Sequence, residues 1–146
     1  MDSQTLTDLY TYHPTTPETA PLYARLSTVF EGARIHLSMR LNEIGQLFDA
    51  GALQRLEDKD YASVSMALLK VAAVVEECCP ESEDKDAAHL QLRLGRMWAN
   101  KALLAHQANR SAAREMALVA TKLEEAQMLA NSAIACHTPQ RLTEAG

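Results

Sequence analysis

Leu22, Leu26, Val29, Ala33, Leu37, Leu41 and Ile44 recur at steps of three and four residues. That is the period of one face of an α-helix. The stripe predicts a first long helix over residues 21–48, opened by Pro21, whose fixed φ suits a first turn. Asp49 and Gly51 are turn residues that break it, and a short helical piece over Ala52–Leu56 is expected next. Tyr61, Val64, Leu68, Val71 and Val75 make the stripe of a second helix, 60–79, which Pro80 ends. A third helix, 83–107, starts after Ser82. Glu83, Asp84 and Asp86 suit the positive end of its dipole, and Leu90, Leu94, Met97, Trp98 and Ala102 are its expected inner residues. Ser111 is the expected N-cap of a fourth helix, 111–137, with Met116, Val119, Leu123, Ala126, Ala130 and Ile134 inward.

Ahead of these, Pro14, Pro17 and Pro21 forbid a regular helix. Residues 1–20 are therefore expected to form a short helical turn near Thr7–Tyr12 and then an extended arm. Residues 138–146 form a polar tail. Four helices with mostly short connections pack antiparallel by default. The expected fold is an all-α bundle and a single domain over 1–146.

Composition agrees. Apolar residues are 47% of the 146 but aromatics only 5%, so Ala, Leu and Met carry the packing, which favours helices. Five glycines and five prolines are too few for a turn-rich β fold. The net charge of −5 argues against a polymeric nucleic-acid partner, which would normally meet a basic face. It leaves room for one small anionic ligand, because a pocket obeys its local charge. Three cysteines, two of them adjacent, make no disulfide framework. The expectation is a cytoplasmic protein with neither a secretion leader nor a membrane span.

The chain also repeats itself. Arg96–His106 and Gln127–His137 align thirty-one positions apart, matching Met97 with Met128, Ala99-Asn100 with Ala130-Asn131, Ala102 with Ala133 and His106 with His137. Gly95 falls on Ala126, so both helices keep a small residue where close approach would need one. Apolar matches at helical spacing come cheaply in two Ala-rich helices. An Ala-Asn pair in phase is less cheap, since Asn is a poor helix-interior residue. Asn100 and Asn131 therefore either settle an interhelical contact or reach a ligand.

Other chemistry is sparse. No two of the five histidines stand at His-x-x-x-His spacing, and Cys78-Cys79 lacks the usual zinc spacing. The acidic pairs Glu76-Glu77 and Glu124-Glu125 would need further carboxylates from a neighbouring helix to hold Mg²⁺ for nucleotide hydrolysis, and the third helix does not supply them. No glycine-rich phosphate loop is present. No catalytic residue, metal ligand or cofactor is expected.

Two motifs carry a resemblance. Tyr10-Thr11-Tyr12-His13-Pro14 forms an aromatic-x-Tyr-His-Pro arm. Met97-Trp98-Ala99-Asn100, following the Cys79–Lys85 turn, and Met128-Leu129-Ala130-Asn131, following Leu123-Glu124-Glu125, form the second. In these the chain resembles the small phage anti-CBASS proteins that sequester cyclic oligonucleotide signals. Their helical hairpin is shared with a Thoeris-defence sponge. The resemblance covers most of 10–40 and 60–137.

It implies a non-enzymatic sponge for cyclic oligonucleotides or cyclic ADP-ribose-type signals, acting in the host cytoplasm. It also implies a homo-oligomer, with a trimer one candidate form because the second and third helices look like one family hairpin and the first and fourth like another nested around it. Tyr12 would stack on a base, with Tyr10 and His13 beside it. Tyr10 could equally pin the arm to the bundle, and His13 could orient the arm. Tyr23 and Arg25 lie on the first helix. Ser27 stands where the family carries a basic residue, and Arg25, two positions away, leaves the helix in another direction. Asn100, Lys101 and Asn131 complete the candidate ligand contacts, although Ser132 replaces the lysine in the second copy. Trp98 is expected mainly to pack between helices. The competing reading is a helical interaction protein that binds a host protein and has lost the nucleotide pocket.

Overall fold

The computed structural model describes residues 2–11 and 15–138. It is all-helical over these residues, with α1 Ser3–Tyr10, α2 Ala20–Asp49, α3 Asp58–Cys78, α4 Glu83–Gln107 and α5 Ala113–His137. Asp2 caps α1 by accepting from the Thr5 N–H at 2.8 Å. Pro21 sits in the first turn of α2, as its geometry requires. Ser82 caps α4, its hydroxyl accepting from the Lys85 N–H at 3.1 Å.

Two helices end on residues with positive φ. Gly51 (φ 74°) follows α2 and Asn109 (φ 57°) follows α4. The Ala52 N–H reaches the Leu47 carbonyl and the Gly51 N–H that of Phe48. After α4, Arg110 reaches Ala105 and Asn109 reaches His106. This pair of back-bonds closes the last turn of a helix while reversing the chain.

Cross-helix bonds fix the directions. Arg25 pairs with Glu77, and Arg40 with Asp60, so α2 and α3 run antiparallel. His89 meets Glu76 while the Leu56 N–H donates to Gln107 Oε1, so α3 and α4 do too. Asp84 binds Ser132 and His137, tying the start of α4 to the end of α5. α5 packs along α2 as well and closes the bundle, while α1 rests on α5.

The shared core is built from Leu26, Phe30, Leu37, Leu41, Ile44, Val64, Leu68, Val71, Val75, Leu103, Leu123 and Ile134. The α4–α5 seam differs from the rest. Ala88, Ala99, Ala102, Ala105, Ala126, Ala130 and Ala133 are fully buried there, and Gly95 joins them, giving the most extensive helix pairing in the chain. A methyl added at Gly95 would meet Lys122 Cβ at 3.6 Å, an ordinary contact. At Gly45 it would strike the His106 ring at 2.6 Å. That glycine lets α2 and the end of α4 approach with an imidazole between them.

Four expectations are corrected. Residues 52–56 form bends and not a helix, because the reversal at Gly51 carries the chain directly toward α3. The N-cap of α5 is Ala112, with Ser111 one step earlier accepting from the Ala113 N–H. The helical turn expected at Thr7–Tyr12 is displaced to Ser3–Tyr10, where Asp2 supplies the cap. In α4 the inner stripe is out of phase with its large residues. Leu90 and Met97 are exposed, while Ala88, Leu92, Gly95 and Ala99 face inward. Of the arm, 12–14 lies outside the described residues, and Pro17–Thr19 is a turn stapled by Thr16 and Thr19 hydroxyls. No helix among the described residues is long and apolar enough to cross a membrane.

Candidate functional site

The end of the bundle where residues 15–19 lead into α2 gathers the start of α2, the last turns of α5 and the start of α4. Between α2 and α5 lies an open cavity of about 520 Å³, lined by Thr15, Ala20, Tyr23, Met128, Asn131, Ser132, Ala135 and Cys136. Helical spacing explains the lining, since 128, 131, 132 and 135 share one face of α5. Two candidate residues, Tyr23 and Asn131, therefore line the same cavity. Asn131 Oδ1 is buried and accepts no hydrogen bond, a costly state for an amide oxygen.

Beside the cavity the Asp84 carboxylate accepts from the Ser132 hydroxyl at 2.9 Å and lies 3.2 Å from His137 Nε2. These residue types suggest a nucleophilic triad, but the order is wrong. Serine and histidine both address the carboxylate, and no hydrogen bond among the described residues joins them to each other. A serine whose proton is given to Asp84 has no imidazole to activate it. Nor is Cys79 a nucleophile. Burial pushes its thiol up to about 12, so the reactive thiolate is suppressed, and its Sγ donates to the Ala130 carbonyl at 3.4 Å. No cluster of three His, Cys, Asp or Glu side chains that could hold a metal occurs among the described residues.

The other candidates lie elsewhere. Arg25 is held by Glu77 on α3 and takes no part in the cavity lining. Ser27 is exposed on α2, and Tyr10 is 82% exposed at the end of α1. Tyr12 and His13 fall outside the described residues. Asn100 and Lys101 sit farther along the α4–α5 pair, roughly 15–20 Å from the level of Asn131 at 1.5 Å rise per residue. Lys101 Nζ lies 4.7 Å from the centre of the Trp98 ring, and the Arg114 guanidinium carbon 5.4 Å from it, both within cation–π range. Trp98 is half-buried and packs against the core, as expected of it. Asn100 Oδ1 repeats the state of Asn131, buried and without a partner.

Sequence reasoning missed Lys85. It is 3% exposed, with its ammonium 2.7 Å from Glu81, 3.1 Å from Glu76 and 3.3 Å from the Glu76 carbonyl. Burial works against its charge, but the bonds from Glu81 and Glu76 outweigh that and raise its pKa. A signal was available. A lysine in the first turn of a helix opposes the dipole, so it needs local acids, and Glu76 and Glu81 supply them.

The bonds from Lys85 and then His89 hold the Glu76 carboxyl below its ordinary value of 4.5. A depressed folded pKa gives stability that is present above the unfolded value and lost as pH falls through the folded one. The urea midpoint is therefore expected to drop below about pH 4.5, and Glu76→Gln should flatten that part of the profile. An equal acid-side slope in the variant would show that Glu76 is not the group responsible.

No family model, no curated protein and no solved structure matches the chain.

Proposed function

We propose that this protein captures a small cyclic nucleotide without turning it over, at the arm-side cavity between α2 and α5. In doing so it would antagonise a bacterial defence that signals through such molecules. The observation that carries the reading is one cavity lined by both Tyr23 and Asn131, whose Oδ1 is buried without a partner. An amide oxygen seeking a donor beside an aromatic face suits a nucleobase, which offers N–H edges and a stacking surface. The volume of about 520 Å³ falls in the usual range for small-molecule sites, roughly 300–1,000 Å³. Thr15, which follows in sequence the arm motif that resembles that of the anti-CBASS sponges, lines this cavity.

The nested duplication supports the same reading. Besides the repeat in α4 and α5, α2 and α3 align thirty-eight positions apart. Tyr23-Ala24 falls on Tyr61-Ala62, and Leu26, Phe30, Ala33 and Leu37, all buried, fall on buried Val64, Leu68, Val71 and Val75. The outer pair α2–α5 and the inner hairpin α3–α4 are then two copies of one unit, each keeping an orphaned Asn oxygen. An assembly of several such chains, a trimer among them, would complete the sponge.

One observation favours the competing reading of a host-protein binder. The cavity lining contains no Lys or Arg, and the candidate cation of α2, Arg25, is already paired with Glu77. Calorimetry against cyclic di- and trinucleotides and cyclic ADP-ribose isomers separates the two. Tight binding is expected, with the ligand recovered intact by mass spectrometry after heat release. Tyr23→Ala should weaken it by about 1–3 kcal/mol, the worth of one stacked base, and Tyr12→Ala should also weaken it. Absence of binding across the panel would overturn the proposal in favour of a protein partner.

A further inference from the structure

The groove between α3 and α4 lies across the bundle from the α2–α5 side and has a different character. It encloses about 320 Å³ and is lined by Ser65, Leu68, Leu69, Ala72, His89, Leu92, Arg93 and Arg96. Leu69 stands 60% exposed on one wall. Arg93 and Arg96, one turn apart on the other, are exposed and have no acidic partner among the described residues. Arg25, Arg34, Arg40, Lys59, Lys85 and Lys122 are ion-paired, in a chain whose net charge is −5, whereas Arg93 and Arg96 are not and both line this one groove. The pseudo-equivalent positions on the α2–α5 side carry the opposite tendency. Arg93 falls on Glu124, Arg96 on Gln127 and Leu69 on Glu31. The cations and the exposed leucine thus belong to one groove and are not a general property of the repeated unit.

We propose that this groove docks an acidic amphipathic helix of a partner protein. A helix laid between two helices offers apolar side chains at i and i+4 to a groove floor, here Leu68, Leu92 and Ala72 with Leu69 as a wall. Acidic residues three or four apart on its flank then meet Arg93 and Arg96, which share that spacing. Two arginines on a net-negative chain do not make the extended basic face that a nucleic acid needs. Charge complementarity therefore selects an acidic peptide surface. This inference stands apart from the nucleotide reading, since it uses none of the cavity residues.

The test uses the full chain and a fluorescein-labelled eighteen-residue helical peptide with Leu at i, i+4 and i+7 and Glu on its flanks. Its twin carries Lys in place of every Glu. Anisotropy should show the Glu peptide bound and the Lys peptide not. Arg93→Glu with Arg96→Glu should weaken the Glu peptide about tenfold or more and admit the Lys peptide. Leu69→Asp should weaken the Glu peptide by itself. These residues are exposed, and unchanged circular dichroism will confirm that the variants fold. Equal binding of the two peptides, or binding indifferent to the charge reversal, would overturn the proposal. So would self-association of the wild-type chain that the Arg93→Glu, Arg96→Glu variant abolishes, since the occupant would then be a second copy.

Discussion

Asp60→Ala should lower the unfolding free energy by about 2–4 kcal/mol, by leaving Arg40 without its buried partner and α3 without a cap bond. Asp60 is 2% exposed. One carboxylate oxygen accepts from Arg40 Nη2 at 3.0 Å and the other from the Glu57 N–H at 2.9 Å. One side chain thus fastens the second half of α2 to the start of α3. The lower end of the range reflects Arg40, whose side chain is 22% exposed and also pairs with Glu43 at 3.0 Å. It can turn to solvent when Asp60 is gone. Two variants separate the parts. Asp60→Asn keeps an acceptor for Glu57 and loses the charge. Arg40→Met leaves the carboxylate buried with one N–H. Urea unfolding of both, with the double variant, measures their coupling. A loss below about 1 kcal/mol for Asp60→Ala would place this pair with ordinary surface ion pairs.

The signal for Asp60 was in the sequence. An acidic residue three positions after another, ahead of an apolar run, is the pattern of a helix start whose third residue reaches back to cap the first. The stripe of α2 was equally plain, because Leu26, Leu37, Leu41 and Ile44 are large and periodic and all face inward. The phase of α4 was not. Reading large apolar residues as buried put Leu90 and Met97 inside. The helix instead turns Ala88, Gly95, Ala99 and Ala102 inward with Leu92, on a helix whose most extensive pairing is with α5. Periodicity finds a face only when the side chains on it are bigger than those off it.

Of the candidate residues, Tyr23 and Asn131 line one cavity in the structure. The pairing of Arg25 with Glu77 could not be foreseen, because it depends on how α3 is rotated against α2. The same holds for Asp84, whose partners Ser132 and His137 lie some fifty positions away along the chain.

Enlarging the alanines of the α4–α5 seam should have an effect as large as that of losing Asp60. Ala99 and Ala130 are each fully buried, and each precedes one of the two orphaned asparagines. Leucine at either position adds three carbons where no space exists. Such overpacking typically costs about 1–3 kcal/mol and sometimes more. The seam is the longest helix contact in the chain, so the upper part of that range is expected for each substitution. Ala99→Leu with Ala130→Leu should then remove up to about 6 kcal/mol, comparable with the whole stability at the low end of the roughly 5–15 kcal/mol by which a domain is normally stable. Ala117→Leu, on the exposed side of α5, is the control and should stay within about 0.5 kcal/mol of the parent. Thermal unfolding followed by circular dichroism decides it. If Ala99→Leu melts with the control, the helices are not in close contact and the alanines are not there to permit it. If it melts far below, packing accounts for the first residue of each Ala-Asn pair. Packing offers no reason for the second. An asparagine whose oxygen is buried without a donor lowers stability, and two copies keep it in the same phase. Asn100→Leu and Asn131→Leu, compared for stability and for nucleotide binding, would then read out what the asparagines are for. A gain in stability with loss of binding at Asn131 is the expected result.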